Sequence, residues 1–214
     1  MPPPPFHIDR LALDPHEGAI RVWVGGRPVG RLHPEAVAQL QLSAGDEVSP
    51  EASAALLAAL HARGAYESGL RRLGRQAMAR AHLERRLAAD WGGEAARDAV
   101  ARLARYLDDA AFARAWVEGQ LALRPKGAAA LLAGLRTRGV PNEVARDAVR
   151  EAVPAGDAFP LCREAARRYA ARCGDLPAAK RRARLWNHLV RRGFDAETVR
   201  RVLAQMQLAT DEDW

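Results

Sequence analysis

Residues 106–139 read YLDDAAFARAWVEGQLALRPKGAAALLAGLRTRG, and the apolar positions in the second half of this stretch return near the end of the chain. Moved by 54 positions, Leu131, Leu132, Leu135, Gly139 and Val149 fall on Leu185, Trp186, Leu189, Gly193 and Leu203. Helical apolar positions and a stop glycine recurring at one interval mark tandem copies of a supersecondary unit. Such units usually present an extended surface and rarely enclose a catalytic pocket.

Working outward, each unit reads as three helices in about 50 residues. In the middle unit, Asp108 or Asp109 caps a helix whose apolar residues are Phe112, Trp116 and Leu123. Arg124-Pro125-Lys126-Gly127 breaks it, and a helix from Ala128 to Thr137 stops at Gly139. Pro141 opens the next helix, with Val144, Ala148 and Val149 inward. After Val153-Pro154-Ala155-Gly156, helices are expected over 157–172, 177–192 and 195–207, the last with the stripe Val199, Val202, Leu203 and Met206. Upstream, Ser49 and Pro50 start a helix with Leu56, Leu57, Leu60, Leu70 and Leu73 near one stripe. Gly64 and Gly69 lie inside it at about 1 kcal/mol each relative to alanine, so a bend or break is expected there. Helices follow over 81–87 and 94–106, with Trp91-Gly92-Gly93 between them.

Before residue 49 the period changes. Leu11 and Leu13, then Ile20, Val22 and Val24, alternate as strands around a turn at residues 14–18. A second turn at Gly25-Gly26-Arg27-Pro28 leads to a third short strand, Val29 to Leu32, and Pro34 opens a short helix through Leu40. The expected fold is mostly α: an elongated array of three tandem three-helix repeats behind a small β-rich cap. The boundaries are a Pro-rich start over 1–5, the β-rich domain over 6–48, repeats over 49–107, 108–156 and 157–207, and an acidic tail over 208–214.

Net charge is +7, carried almost wholly by arginine, since Lys126 and Lys180 are the two lysines. The segment 157–207 alone carries +7 and the tail −3, against −2 for residues 1–50. A basic unit beside an acidic tail points to a polyanionic partner. Cys162 and Cys173 are eleven apart on one expected helix, sharing a face but too distant along it for a disulfide. Two free thiols, no apolar run of membrane-spanning length and no signal-peptide pattern at MPPPP give the expectation of a cytoplasmic chain.

Sites for chemistry are scarce. His7, His16, His33, His61, His82 and His188 are scattered, with no pair at i+3 or i+4. There is no Cys-x-x-Cys, no phosphate-loop signature and no nucleophile elbow. Asp108 and Asp109 are explained by helix capping. No catalysis, metal or cofactor is expected. The basic clusters carry more meaning. Arg71, Arg72, Arg75, Arg80, Arg85 and Arg86 group in the first unit. Lys180, Arg181, Arg182 and Arg184 open a helix in the third, where positive charge opposes the helix dipole and only Asp175 is a nearby acid. Arg191 and Arg192 close that helix, where the dipole favours them. Lys126 and Lys180 share one repeated position.

YLDD, then Phe112-Ala113-Arg114, RPKG and LRTRGV, resembles the central repeat of the RecX family, bacterial regulators of the RecA recombinase. RRARLWNHLVRRGFDAETVRRVL resembles the family's last repeat, and the β-rich start resembles an N-terminal extension of some members. The first unit departs most: Ala79 to Arg85 stands where the family has a serine-containing turn and Glu-Leu-Arg, and Trp91-Gly92-Gly93 replaces a glycine-phenylalanine stop. The resemblance implies a monomeric, non-enzymatic modulator that lies along the RecA–DNA filament and limits its growth, ATP hydrolysis and strand exchange, in DNA repair, homologous recombination and the SOS response. Its candidate contacts with RecA or DNA phosphates are Arg85 and Arg86; Arg124, Lys126, Arg136 and Arg138; and Lys180, Arg181, Arg182, Arg184, Arg191 and Arg192. Direct, non-specific DNA binding without RecA is the alternative.

Overall fold

The computed structural model describes residues 6–15, 18–153, 158–173 and 176–211. The Pro-rich start, most of the 153–156 break, Asp175 and the last three residues of the acidic tail lie outside the described residues. The chain forms two compact units, Met1–Leu107 and Asp108–Trp214. It is mostly α, with ten α-helices among the described residues and a small sheet at the N-terminal side.

The first unit opens with β1 (Phe6–Asp14), β2 (Ala19–Val24) and β3 (Arg27–Leu32), then α1 (Pro34–Gln39) and a two-residue strand, β4 (Glu47–Val48). The sheet is antiparallel, in the order β3-β2-β1-β4. A register shift between Ile8 and Arg10 changes which residues of β1 face inward. Ile8 is fully buried, Leu11 is half-buried and Leu13, on the same face of the strand as Leu11, is 63% exposed. Sequence alternation also missed β4, because two residues carry no period.

α2 (Pro50–Arg75) is one continuous helix, so the chain does not break at its glycines as the sequence allowed. A Cβ at Gly64 would collide with the Trp91 ring, and one at Gly69 would stand 2.5 Å from Leu103 Cδ1. The glycines therefore admit close neighbours at their known cost in helix propensity. The N-terminal half of α2 sends Leu56 and Leu60 into the core of the sheet, with Ile8, Val22, Leu32 and Val48. Its C-terminal half packs Ala65 against Leu83, Leu87, Ala96, Ala99 and Leu103 of α3 (Arg80–Trp91), α4 (Gly93–Arg102) and the residue beyond. Leu57 and Leu70, expected on the buried stripe, are each 37% exposed. Glu67 ties β3 to α2 by accepting from Arg31 at 2.7 Å and from Arg63 at 2.5 Å.

The second unit holds two three-helix repeats: α5 (Asp109–Leu123), α6 (Ala128–Thr137) and α7 (Asn142–Ala152), then α8 (Ala158–Ala170), α9 (Ala178–Arg191) and α10 (Ala196–Asp211). Asp108 caps α5 by accepting from Ala111 N at 2.9 Å, and Asp195 caps α10 by accepting from Thr198 N at 2.8 Å. The stop glycines take φ of 78° at Gly139 and 82° at Gly193. In both repeats the residue after the glycine donates back five residues, Val140 N to Leu135 O at 3.1 Å and Phe194 N to Leu189 O at 3.3 Å. That bond closes the helix end in the Schellman manner. Leu131, Leu135 and Leu189 are fully buried, and Leu185 nearly so. On α5 the buried residues are Ala113 and Val117; Phe112 and Trp116 are half-buried, and Leu123 is 73% exposed, against the expected inward face.

Candidate polyanion-binding surface

The arginine-proline-lysine-glycine segment after α5, expected to break a helix and to offer Arg124 and Lys126 as contacts, also docks repeat 2 onto repeat 3. Gly127 N donates to Arg192 O at 2.9 Å, and Ala129 N donates to Gly193 O at 3.3 Å. A methyl group at Gly127 would lie more than 1 Å inside ordinary contact with the Gly193 carbonyl, and one at Gly193 would meet Ala130 Cβ at 2.6 Å. Two glycine backbones therefore touch across the joint. The guanidinium of Arg192 donates to Pro125 O at 3.4 Å.

Cations gather around this joint. Arg124, Arg168, Arg172 and Arg192 line one crevice with Leu123, Pro125, Tyr169 and His188. Glu164 takes up Arg168 at 2.7 Å and Arg167 at 2.9 Å, and their hydrogen bonds hold its carboxyl down to about 2. Among the described residues, no carboxylate pairs with Arg124, Arg172 or Arg192. Burial first, then the charges of Arg124 and Arg172, lower the Arg192 guanidinium from its ordinary value. The His188 ring lies parallel to Tyr169 with centroids 3.8 Å apart. Burial, then Arg192, Arg191 and Arg172, lower its affinity for a proton.

The other candidate residues divide into distinct settings. Lys126 and Arg138 are engaged within repeat 2: Lys126 donates to Gln120 at 2.5 Å and lies 6.0 Å from the Trp116 ring, while Arg138 lies 4.6 Å from that ring and donates to Gly134 O at 3.0 Å. Arg136 is exposed at the end of α6. On α9, Lys180, Arg182 and Arg184 are exposed and Arg181 is half-buried. Arg184 and Arg191 line a cleft with Asn187 and Val190, and that cleft shares Tyr169 with the crevice. Arg85 and Arg86 are exposed on α3 in the first unit, where Arg86 lines an arginine-rich cleft with Arg71, Arg72 and Arg75. Of these, Arg72 pairs with Asp90 at 2.6 Å.

Sequence reading missed Tyr169, Arg172 and His188. The available signal was spacing: Arg168 on α8 with Arg172 just beyond it, and His188 on α9 with its C-cap Arg192, are i, i+4 pairs. Cys162 and Cys173 are buried and free. Burial, with Asp195 second, pushes the Cys162 thiol up to about 12, so it stays protonated and unreactive at neutral pH. Among the described residues no group of three or more His, Cys, Asp or Glu can hold a metal ion, and no helix is long and apolar enough to cross a membrane.

The two repeats of the second unit match the family models for RecX, second three-helix domain, over residues 108–149, and RecX, third three-helix domain, over 157–203. Regulatory protein RecX of Chlorobaculum tepidum is 33% identical over 141 residues, which cover 64% of this chain and 84% of that protein. The chain belongs to the RecX family. Regulatory protein RecX of Prosthecochloris aestuarii is 35% identical over 105 residues, 47% of this chain, and the chain spans 63% of that relative's length. A crystal structure of regulatory protein RecX shares the fold, with a TM-score of 0.68 at 20% identity over 92% of this chain and 98% of that one. Membership makes this a relative of regulatory proteins, and the joint, crevice and stop glycines all fall within or between the two matched RecX domains.

Proposed function

We propose that this protein binds the RecA–DNA filament and inhibits its growth, and with it ATP hydrolysis and strand exchange, without catalysing a reaction itself. The observation that carries the reading is its membership of the RecX family, whose named relatives are regulatory proteins. The surface supports it: Lys180, Arg184 and Arg191 are exposed on one helix and have no carboxylate partner among the described residues. A filament of recombinase and DNA offers both acidic side chains and phosphates to such a helix.

The test is co-sedimentation of the full chain with filaments of RecA on single-stranded DNA, alongside the filament's ATP turnover. Retention in the filament pellet and a fall in ATP turnover with added protein are expected. Absence from the pellet at moderate salt, with turnover unchanged, overturns the reading. Binding to bare DNA that is steeply salt-dependent and indifferent to RecA favours the DNA-only alternative.

A further inference from the structure

Three guanidinium groups from three separate elements converge at the joint between repeats 2 and 3. Arg124 follows α5, Arg172 follows α8 and Arg192 follows α9, and all three line the same crevice. Each stands just past a helix C-terminus, where the dipole favours a cation. The dipole accounts for one arginine at each end but not for the convergence of three without a counter-charge, when Glu164 of α8 is already occupied by Arg167 and Arg168.

The repeat supplies its own comparison. Moved by 54, Arg138 falls on Arg192, Trp116 on Ala170 and Gly134 on His188. In repeat 2 the cation lies over the Trp116 ring and binds the Gly134 carbonyl. In repeat 3 alanine replaces the ring, and the cation turns toward the crevice and Pro125. The same position is closed within one repeat and open to a ligand in the next.

We propose that this crevice binds backbone phosphates of a single-stranded nucleic acid, with Arg124, Arg172 and Arg192 as the contacting cations. The forked guanidinium group matches a phosphate's oxygens. A strand is favoured over a compact anion because the cations continue past Tyr169: Arg184 and Arg191 line the neighbouring cleft, which shares that ring. Cations on both sides of an aromatic pair suit a linear chain of phosphates carrying flat bases. The proposal extends the filament reading, since the filament contains such a strand, but its test contains no RecA, so each can fail alone.

The experiment measures fluorescence anisotropy of labelled (dT)20 titrated with the full chain at several salt concentrations. Arg124→Gln/Arg172→Gln is compared with wild type and with Arg146→Gln, an exposed partner of Glu143 on α7. Arg124 and Arg172 are both exposed, so circular dichroism and melting should show an intact fold. The expected result is a roughly tenfold loss of affinity in the double variant, with a log–log salt slope smaller by about 0.7 for each phosphate no longer neutralised. Arg146→Gln should bind as wild type. Should the double variant unfold, the wild-type protein still decides: (dT)20 must shift the His188 ring resonance in an NMR titration, and an unmoved resonance overturns the proposal. Equal strand binding by the double variant also overturns it, whether or not its melting point falls. Displacement of the strand by a glutamate peptide of equal charge, but not by pyrophosphate, would assign the crevice to an acidic protein. Pyrophosphate binding as tightly as (dT)20 would assign it to a small free anion.

Discussion

Gly127→Ala is the change that most directly separates the two repeats of the second unit. Gly127 has ordinary backbone angles, φ −81° and ψ 162°, so alanine brings no conformational strain. All the penalty is steric. The new methyl would lie more than 1 Å inside ordinary contact with the carbonyl of Gly193, a backbone group that cannot rotate away. Opening the joint by that amount stretches both bonds, now 2.9 and 3.3 Å, beyond hydrogen-bonding range. Two bonds of about 1 kcal/mol each, with further cost wherever a buried donor stays unpaired, put the loss at roughly 2–4 kcal/mol. The cores around Leu135 and Leu189 are untouched, so the loss falls on coupling between repeats, and denaturant unfolding of this unit should broaden or split. Hydrogen exchange at the Gly127 and Ala129 amides should accelerate ahead of the repeat cores. Gly119→Ala is the control: it lies in α5 with no atom within 4 Å of the added methyl, and should stabilise by about 0.5–1 kcal/mol. Wild-type unfolding of Gly127→Ala, with the Ala129 amide still protected, would show that the joint is not the coupling between repeats.

Other expected outcomes concern the cores, the caps and the charges. Leu135→Ala and Leu189→Ala, both fully buried, should each cost about 2–5 kcal/mol by chemical denaturation, and unchanged midpoints for both would contradict the burial. Asp108→Ala and Asp195→Ala each remove a side-chain cap and should cost about 1 kcal/mol; backbone and side-chain hydrogen bonds from Thr198 hold Asp195 below its ordinary value, so its share is complete above about pH 4 and fades as pH falls through the lowered value. Burial and then Arg192, Arg191 and Arg172 lower His188 from 6.5, so the unfolded chain binds that proton more readily; the stability owed to neutral His188 is full above about pH 6.5 and declines below it. His188→Gln should flatten the decline between pH 6.5 and 5, and an identical slope in both proteins would show that another group governs it. Lys180, Arg181 and Arg182 changed together to glutamate should weaken retention by RecA filaments and leave the melting point nearly unchanged, since exposed charges usually matter by less than about 0.5 kcal/mol each; wild-type inhibition of RecA ATP turnover at moderate salt would refute a binding role for that helix.

What the sequence made legible follows from which interactions are local. Helix caps and stop glycines depend on residues three to five apart, so Asp108, Gly139 and Gly193 were readable from the chain alone. The buried leucines at Leu131, Leu135, Leu185 and Leu189 were readable because the 54-residue recurrence averages out chance. Errors came where a non-local neighbour decided the outcome. α2 runs on through Gly64 and Gly69, whose missing side chains leave the room that Trp91 and Leu103 fill. Leu13 is exposed near the end of β1 although it shares the face of half-buried Leu11, and Leu123 stays exposed because the buried side of α5 is built from Ala113 and Val117.

The candidate surface shows the same division more sharply. Runs such as Lys180 to Arg184 stand out in a sequence because charge is counted along the chain. Arg124, Arg172 and Arg192 are separated by 48 and 20 residues, and no window of the sequence contains the cluster they make. Their meeting depends on the close approach of Gly127 to Gly193, whose carbonyl accepts from Ala129 N. A wider joint would draw Arg124, carried by the α5 side, away from Arg172 and Arg192 on the other. The glycines that couple the repeats therefore also set the separation of the cations, so Gly127→Ala should weaken (dT)20 binding although no charge has changed. A variant with an opened joint and full strand affinity would break that link and leave the arginines acting independently.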